Sequence, residues 1–127
     1  MSDNLWSFDQ LARRGIDTGL RAAANERHDA DPDYVIEVQL DFSPARRRCL
    51  LTIKNRLPTK ALLAGNFEVG AGSSDTVQVS RSYLWLNNGA PFGVLRLQAD
   101  DISNTATKRL ALDFIDGFFR EVQASLK

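Results

Sequence analysis

Few side chains in this chain can do chemistry, and their types and spacing narrow what that chemistry would be. His28 is the only histidine. It stands in a polar stretch with no second histidine or cysteine to share a metal, whereas structural metal sites want about four thiolate or imidazole ligands. No Ser/His/Asp set can be assembled around one loop histidine. Cys49, the only cysteine, sits beside Leu50 and Leu51 and reads as a buried, inert thiol, because a reactive one needs an exposed electropositive setting. Arg46, Arg47 and Arg48 would lower its pKa only if the thiol faced the same solvent. The loop Gly70-Ala71-Gly72-Ser73-Ser74 lacks the lysine and Ser/Thr of a phosphate loop and misses the dinucleotide spacing, so it reads as a connector. Asp100 and Asp101 suit a helix start, and Asp113 and Asp116 fall on the solvated side of the same helix. No catalytic residue, cofactor or metal is expected.

Two constellations remain. Arg46, Arg47 and Arg48, with Lys54, Arg56 and Lys60 nearby, form the one basic cluster. It reads either as a solvated hairpin tip or as a docking patch for an acidic partner. Aromatics that could stack on bases are not adjacent, which argues against nucleic acid. Arg81, Tyr83 and Trp85 share one face of a predicted strand. They could orient a small acidic ligand at the mouth of an apolar pocket, or they are ordinary cross-strand packing.

The elements that must position these residues begin with the last stretch, 100–127, which predicts one long helix capped by Ser103 or Asn104. At about 100° per residue, Leu110, Ala111, Leu112, Phe114, Ile115, Phe118, Phe119, Val122 and Leu126 spread over roughly 200° of arc, about twice what a helix facing one core needs. Two partners are implied, a sheet and either another helix or another subunit. If Phe114, Ile115 and Phe118 meet the sheet, the flank carrying Leu112, Phe119 and Leu126 needs separate cover. A first helix is predicted over 4–26, with Leu5, Phe8, Ala12, Ile16, Leu20 and Ala23 on one face. Gly15 and Gly19 lie beside that stripe. They make either a smooth ridge for a close neighbour, with the terminal phenylalanines as its partners, or a weak point in the helix.

Between the helices, Tyr34–Phe42 alternates as a half-buried strand. Arg47–Lys54 returns as its hairpin partner, with Cys49, Leu51 and Ile53 toward the core. The region 55–74 is open to two readings. Pro58 and Thr59 could start a short helix, or ALLAGNFEVG is a strand bulged at Gly65. Asp75–Leu86 and Phe92–Gln98 form a second hairpin around Asn87-Asn88-Gly89. The order implies a single α+β domain over 1–127, with a mostly antiparallel sheet of about four to five strands and helices at both ends of the chain.

The 127 residues are 43% hydrophobic and 25% charged, with 16 basic and 16 acidic side chains. That composition suits one globular domain. A formal charge of zero argues against general phosphate binding. No apolar run approaches bilayer length, no signal-peptide pattern opens the chain, and the single cysteine suits a reducing compartment. A cytoplasmic protein with neither a nucleic-acid nor a membrane partner is expected.

The chain also resembles the type III secretion chaperone superfamily of the Tir-chaperone type. The likeness lies in Leu62-Leu63-x-x-Asn66-Phe67, the Gly70/Gly72 loop, paired strands around Asn88-Gly89, and a closing helix with Leu110, Phe114, Phe118 and Val122. Members of that superfamily are commonly acidic, and this chain is neutral. The resemblance implies a non-enzymatic, dimeric α+β protein that binds an extended segment of a partner. The resulting expectation is a cytoplasmic, chaperone-like protein-binding module. Its partner-contacting residues are sought among Arg46, Arg47, Arg48, Leu112, Phe119 and Leu126, and the homodimer forms through the terminal helix or an exposed strand. The alternatives are a small-ligand-binding or enzymatic domain using Arg81, Tyr83 and Trp85, and an immunity or inhibitor protein.

Overall fold

The computed structural model describes residues 8–41, 47–56, 63–72, 76–85, 89–98 and 101–125. The first helix, α1, is α-helical over 8–11, widens to a π-helix over Ala12–Ile16 and returns to α-helix over Asp17–Arg27. Five strands follow: β1 (Tyr34–Asp41), β2 (Arg48–Asn55), β3 (Ala64–Ala71), β4 (Thr76–Tyr83) and β5 (Phe92–Gln98). They form one sheet in sequence order, and every neighbouring pair is antiparallel. The second helix, α2 (Asn104–Ser125), closes the chain. The fold is therefore α+β, with an antiparallel meander between an N-terminal and a long C-terminal helix.

Alternation decides which sheet face is buried. Cys49, Leu51 and Ile53 of β2, Phe67 and Val69 of β3, and Val77 and Val79 of β4 are all essentially inaccessible. The helices cover that face with Ile16 and Leu20 from α1 and Phe114, Ile115 and Phe118 from α2. Leu50 is buried on the opposite face, in register between Gln39 and Glu68. Residues 57–62 lie outside the described residues, including Pro58, Thr59 and Lys60. The helix that would have run on through Ala64-Gly65-Asn66 is absent, because these residues belong to β3.

The register also moves the expected bulge. Gly65 pairs with Ile53 on one side and Tyr83 on the other without interruption. Its missing side chain makes room for rings: a Cβ there would lie 3.0 Å from Phe118 and 3.1 Å from Phe114 and Tyr83. The irregularity falls instead between β4 and β5. Val79 faces Leu95 and Arg81 faces Phe92, so Gly93 and Val94 together oppose Ser80. Gly93 carries it with φ 57°, a conformation glycine adopts at little cost.

Five strands between two helices reverse the chain so that α1 and α2 run in the same direction. Gly15 lies near Ile102 and Asn104, Gly19 near Thr107, and Arg27 against Asp116. At Gly19 the approach is tight: a Cβ there would stand 2.8 Å from both Asn104 O and Thr107 Cβ. The glycine ridge does admit a neighbour, but at Gly19 that neighbour is the small first turn of α2 and not its phenylalanines. Ser103 caps α2 by accepting from Ala106 N at 3.0 Å. With its nitrogen turned toward α1, the Asn104 amide donates to Arg14 O at 2.9 Å and Gly15 O at 2.7 Å. Those are carbonyls of the π turn, where the regular helical ladder is interrupted.

Candidate protein-binding surface on the β4–β5 hairpin

The basic cluster expected at the first hairpin is largely neutralised within the chain. Arg47 places Nη1 2.8 and 2.6 Å from the two carboxylate oxygens of Asp9 on α1. Arg48 points to the opposite face of β2 from Cys49, donates to Glu68 at 2.5 Å and stands 3.6 Å from Asp41. Lys54 meets Glu37 at 3.3 Å, and Arg56 Nε donates to Pro32 O. Arg46 lies outside the described residues. Arg47 and Arg48 thus form neither a solvated tip nor an open patch; they tie the hairpin to its neighbours. Cys49 is fully buried, and burial pushes its thiol up to about 12, which fits an inert thiol.

The remaining titratable groups act locally. Exposed His28 lies at the end of α1, with Nδ1 2.6 Å from Asn25 O and Nε2 3.1 Å from Asp29. Among the described residues no group of His, Cys, Asp and Glu side chains could hold a metal ion. Asp116 is not simply solvated: it accepts two bonds from Arg27, at 2.9 and 3.2 Å, and raises the pKa of that guanidinium. Lys108, 2.8 Å from Glu26, holds that carboxyl below its ordinary value.

Two residues of the α2 flank proposed for a partner subunit, Leu112 and Phe119, are partly covered within the chain. Leu112 is half-buried beside the Arg27–Asp116 pair. Phe119 packs edge-on against Tyr34, with centroids 5.4 Å apart, and against Phe118 at 5.7 Å. It lines a hollow of about 530 Å³ with Asp31, Asp33, Arg56 and Val122. Burial, with Asp31 and Asp33 nearby, raises the Tyr34 hydroxyl pKa. Leu126 lies outside the described residues.

Arg81, Tyr83 and Trp85 do come together, in a different role. Tyr83 is 6% exposed, so its ring belongs to the core rather than to a pocket mouth. Trp85 stacks on it at 5.3 Å, Phe92 lies at 4.9 Å, and Phe114 and Phe118 close the other sides at 5.7 and 5.9 Å. Burial raises the Tyr83 pKa, with Glu121 adding to it. Arg81 reaches across the bulge to donate to Gly93 O at 3.0 Å. Its guanidinium fills the space a Gly93 side chain would need, since a Cβ would stand 2.9 Å from Nη2.

The bulge has a further effect. By simple alternation from Leu95, Phe92 would face outward; the extra residue turns it back onto the Tyr83 ring. Even so it stays 38% exposed, with Leu84 at 42% and Val94 at 52%, and these are the large hydrophobic residues left exposed among the described residues. All three lie on the β4–β5 hairpin. β5 ends the sheet, and beside it Leu97, Ala106, Leu110, Asp101 and Arg109 line a hollow of about 430 Å³ under the first half of α2. The sequence signal for the exposed residues of β5 was the run Phe92-Gly93-Val94-Leu95, which has no polar residue to mark a solvated face.

No family model, curated protein or solved structure matches this chain. No helix among the described residues is long and apolar enough to cross a membrane.

Proposed function

We propose that this protein is a non-enzymatic protein-binding module that receives an extended segment of a partner along β5. The observation that carries the reading is the concentration of Leu84, Phe92 and Val94 on one hairpin at the end of the sheet. An edge strand offers a row of backbone donors and acceptors, and natural proteins normally blunt such edges. Here the edge carries exposed apolar side chains beside a partly apolar hollow, the arrangement that strand-addition binders use. The resemblance to type III secretion chaperones agrees with an extended client segment and would place the protein in the cytoplasm. It also implies a homodimer. Tyr34 already packs on Phe119 of the second α2 flank, which favours the exposed strand as the dimer interface, where a second copy would compete with the partner.

The test is affinity capture with the wild-type chain and with Val94→Lys, an exposed substitution that leaves the core intact. A protein retained by the wild type and lost from the variant supports the proposal. Equal retention by both, or no retention together with turnover of a small molecule, would refute it.

A further inference from the structure

The arginines of this fold are unevenly employed. Arg21, Arg27, Arg47 and Arg48 are each held by a carboxylate. Arg14, Arg96, Arg109 and Arg120 are exposed and form no ion pair with a carboxylate among the described residues. What sets Arg96 of β5 and Arg109 of α2 apart is their place. They stand on either side of the free edge of β5. Arg96 opposes Gln78 on the outer sheet face, next to exposed Val94. Arg109 borders the hollow on the core face, with Leu97 and Leu110 in its lining. Asp101 also lines that hollow, so among the described residues its rim carries one charge of each sign, and Arg96 adds a second positive charge to the strip.

The opposite edge of the sheet differs. On β1, Glu37 meets Lys54 at 3.3 Å and Asp41 lies 3.6 Å from Arg48, so its charges are matched from within.

We infer that the β5 edge selects an acidic partner segment, one in which apolar residues alternate with Asp or Glu. This rests on the reading of β5 as the docking strand. A strand added to β5 would present alternate side chains to the two faces. Its core-face residues would enter the hollow against Leu97 and Leu110. Its outer-face residues would lie opposite Val94, Arg96 and Gln98, where a carboxylate answers Arg96 and a lysine is repelled. Arg109 would take a carboxylate at the rim of the hollow. Such matching acts on partner choice and encounter rate more than on raw affinity.

The test uses two labelled peptides of about ten residues, one alternating valine and glutamate and one alternating valine and lysine. Binding to the full chain is read by fluorescence anisotropy at an ionic strength of about 0.02 M, where exposed charges are weakly screened. The glutamate peptide should bind at least about tenfold more tightly, and the difference should shrink at about 0.3 M salt. Arg96→Gln should weaken the preference and Arg96→Glu should reverse it; Arg96 is exposed, and circular dichroism checks that the variants are folded. Equal binding of both peptides, lost in Val94→Lys, would overturn the charge selection while leaving the docking strand in place. Binding of neither peptide would overturn both. A single-stranded oligonucleotide that displaces the glutamate peptide and binds more tightly would also overturn the inference, showing that the basic strip serves nucleic acid.

Discussion

Gly19→Ala and Gly15→Ala should move stability in opposite directions. Inside a helix, alanine is favoured over glycine by up to about 1 kcal/mol, so from sequence alone both changes should stabilise. At Gly15 the nearest atoms to an added Cβ are side-chain atoms at 3.8 to 3.9 Å, which is ordinary contact, and the gain should be realised. At Gly19 the Cβ would stand 2.8 Å from Asn104 O, 2.8 Å from Thr107 Cβ and 3.1 Å from Lys108 N. Carbon atoms settle at about 3.5 Å or beyond, so roughly 0.7 Å must be found. Two of the three obstacles are backbone atoms, so no rotamer change relieves them; α2 must shift as a body over a close-packed core. Overpacking costs about 1–3 kcal/mol, and an overlap with backbone atoms belongs in the upper part of that range, about 2–3 kcal/mol; less a propensity gain of about 1 kcal/mol, this leaves a net loss of roughly 1–2 kcal/mol. For a domain of this size the melting temperature of Gly19→Ala should fall by about 3–8 °C, while that of Gly15→Ala should rise by about 1–4 °C. Differential scanning calorimetry on the two variants and the wild type decides it. A rise in Gly19→Ala equal to that in Gly15→Ala would show that the helices do not approach through this glycine.

Phe118→Ala should cost roughly 3–5 kcal/mol in urea unfolding, because the ring is fully buried among Tyr34, Tyr83, Trp85 and Phe119; a loss under about 1 kcal/mol would contradict that packing. Cys49 stays protonated in the folded chain up to about pH 12, whereas the ordinary thiol value is 9.0. Its contribution is therefore complete below about pH 9 and is lost as pH rises toward 12, by at most about 1.4 kcal/mol per pH unit. Cys49→Ala should flatten that alkaline slope, measured as the urea midpoint against pH, and the wild-type thiol should resist thiol reagents near pH 8 until the chain unfolds. If two copies associate, light scattering should show a dimer that Val94→Lys converts to a folded monomer. A dimer unchanged by Val94→Lys would take the interface away from β5.

The architecture was legible because its signals are periodic. Strict alternation in Tyr34–Asp41 and Thr76–Tyr83 and three- and four-residue spacing in 104–125 each specify one element and its buried face. What was not legible depends on relations between elements. Gly65 and Gly93 both invite a bulge by local rules. Only the rings of Phe114 and Phe118 above one, and the Arg81 guanidinium against the other, distinguish a glycine that makes room from one that bends the strand. The basic run Arg46-Arg47-Arg48 looks like a patch because sequence counts charges without their partners; Asp9 and Glu68 lie 38 and 20 residues away from the arginines they hold. The π turn at Ala12–Ile16 has no marker beyond Gly15, since its capping amide, Asn104, comes from the other end of the chain.

The partial exposure of the core-facing side chains on the edge strands follows from how many strands two helices can cover. Helices pack about 8–10 Å apart, so two of them shield a band roughly 20 Å wide. Five strands at about 4.8 Å already span about 19 Å between the outer strand axes, and the outer side chains extend beyond. The contact at Gly19 draws the helices together and narrows the band. The three inner strands accordingly carry the fully buried residues, while Ile36, Val38 and Leu40 on one edge and Leu95 and Leu97 on the other stay half-buried. A hollow opens on each flank, about 240 Å³ beside β1 and about 430 Å³ beside β5. Geometry thus leaves two candidate edges, and chemistry separates them. The β1 edge shows water polar side chains whose charges are answered by β2. The β5 edge shows it Phe92, Val94 and an unanswered Arg96. Burying the first edge would require stripping water from matched ion pairs. Burying the second removes exposed apolar surface and gives an arginine its partner, which is why the docking strand is assigned to β5.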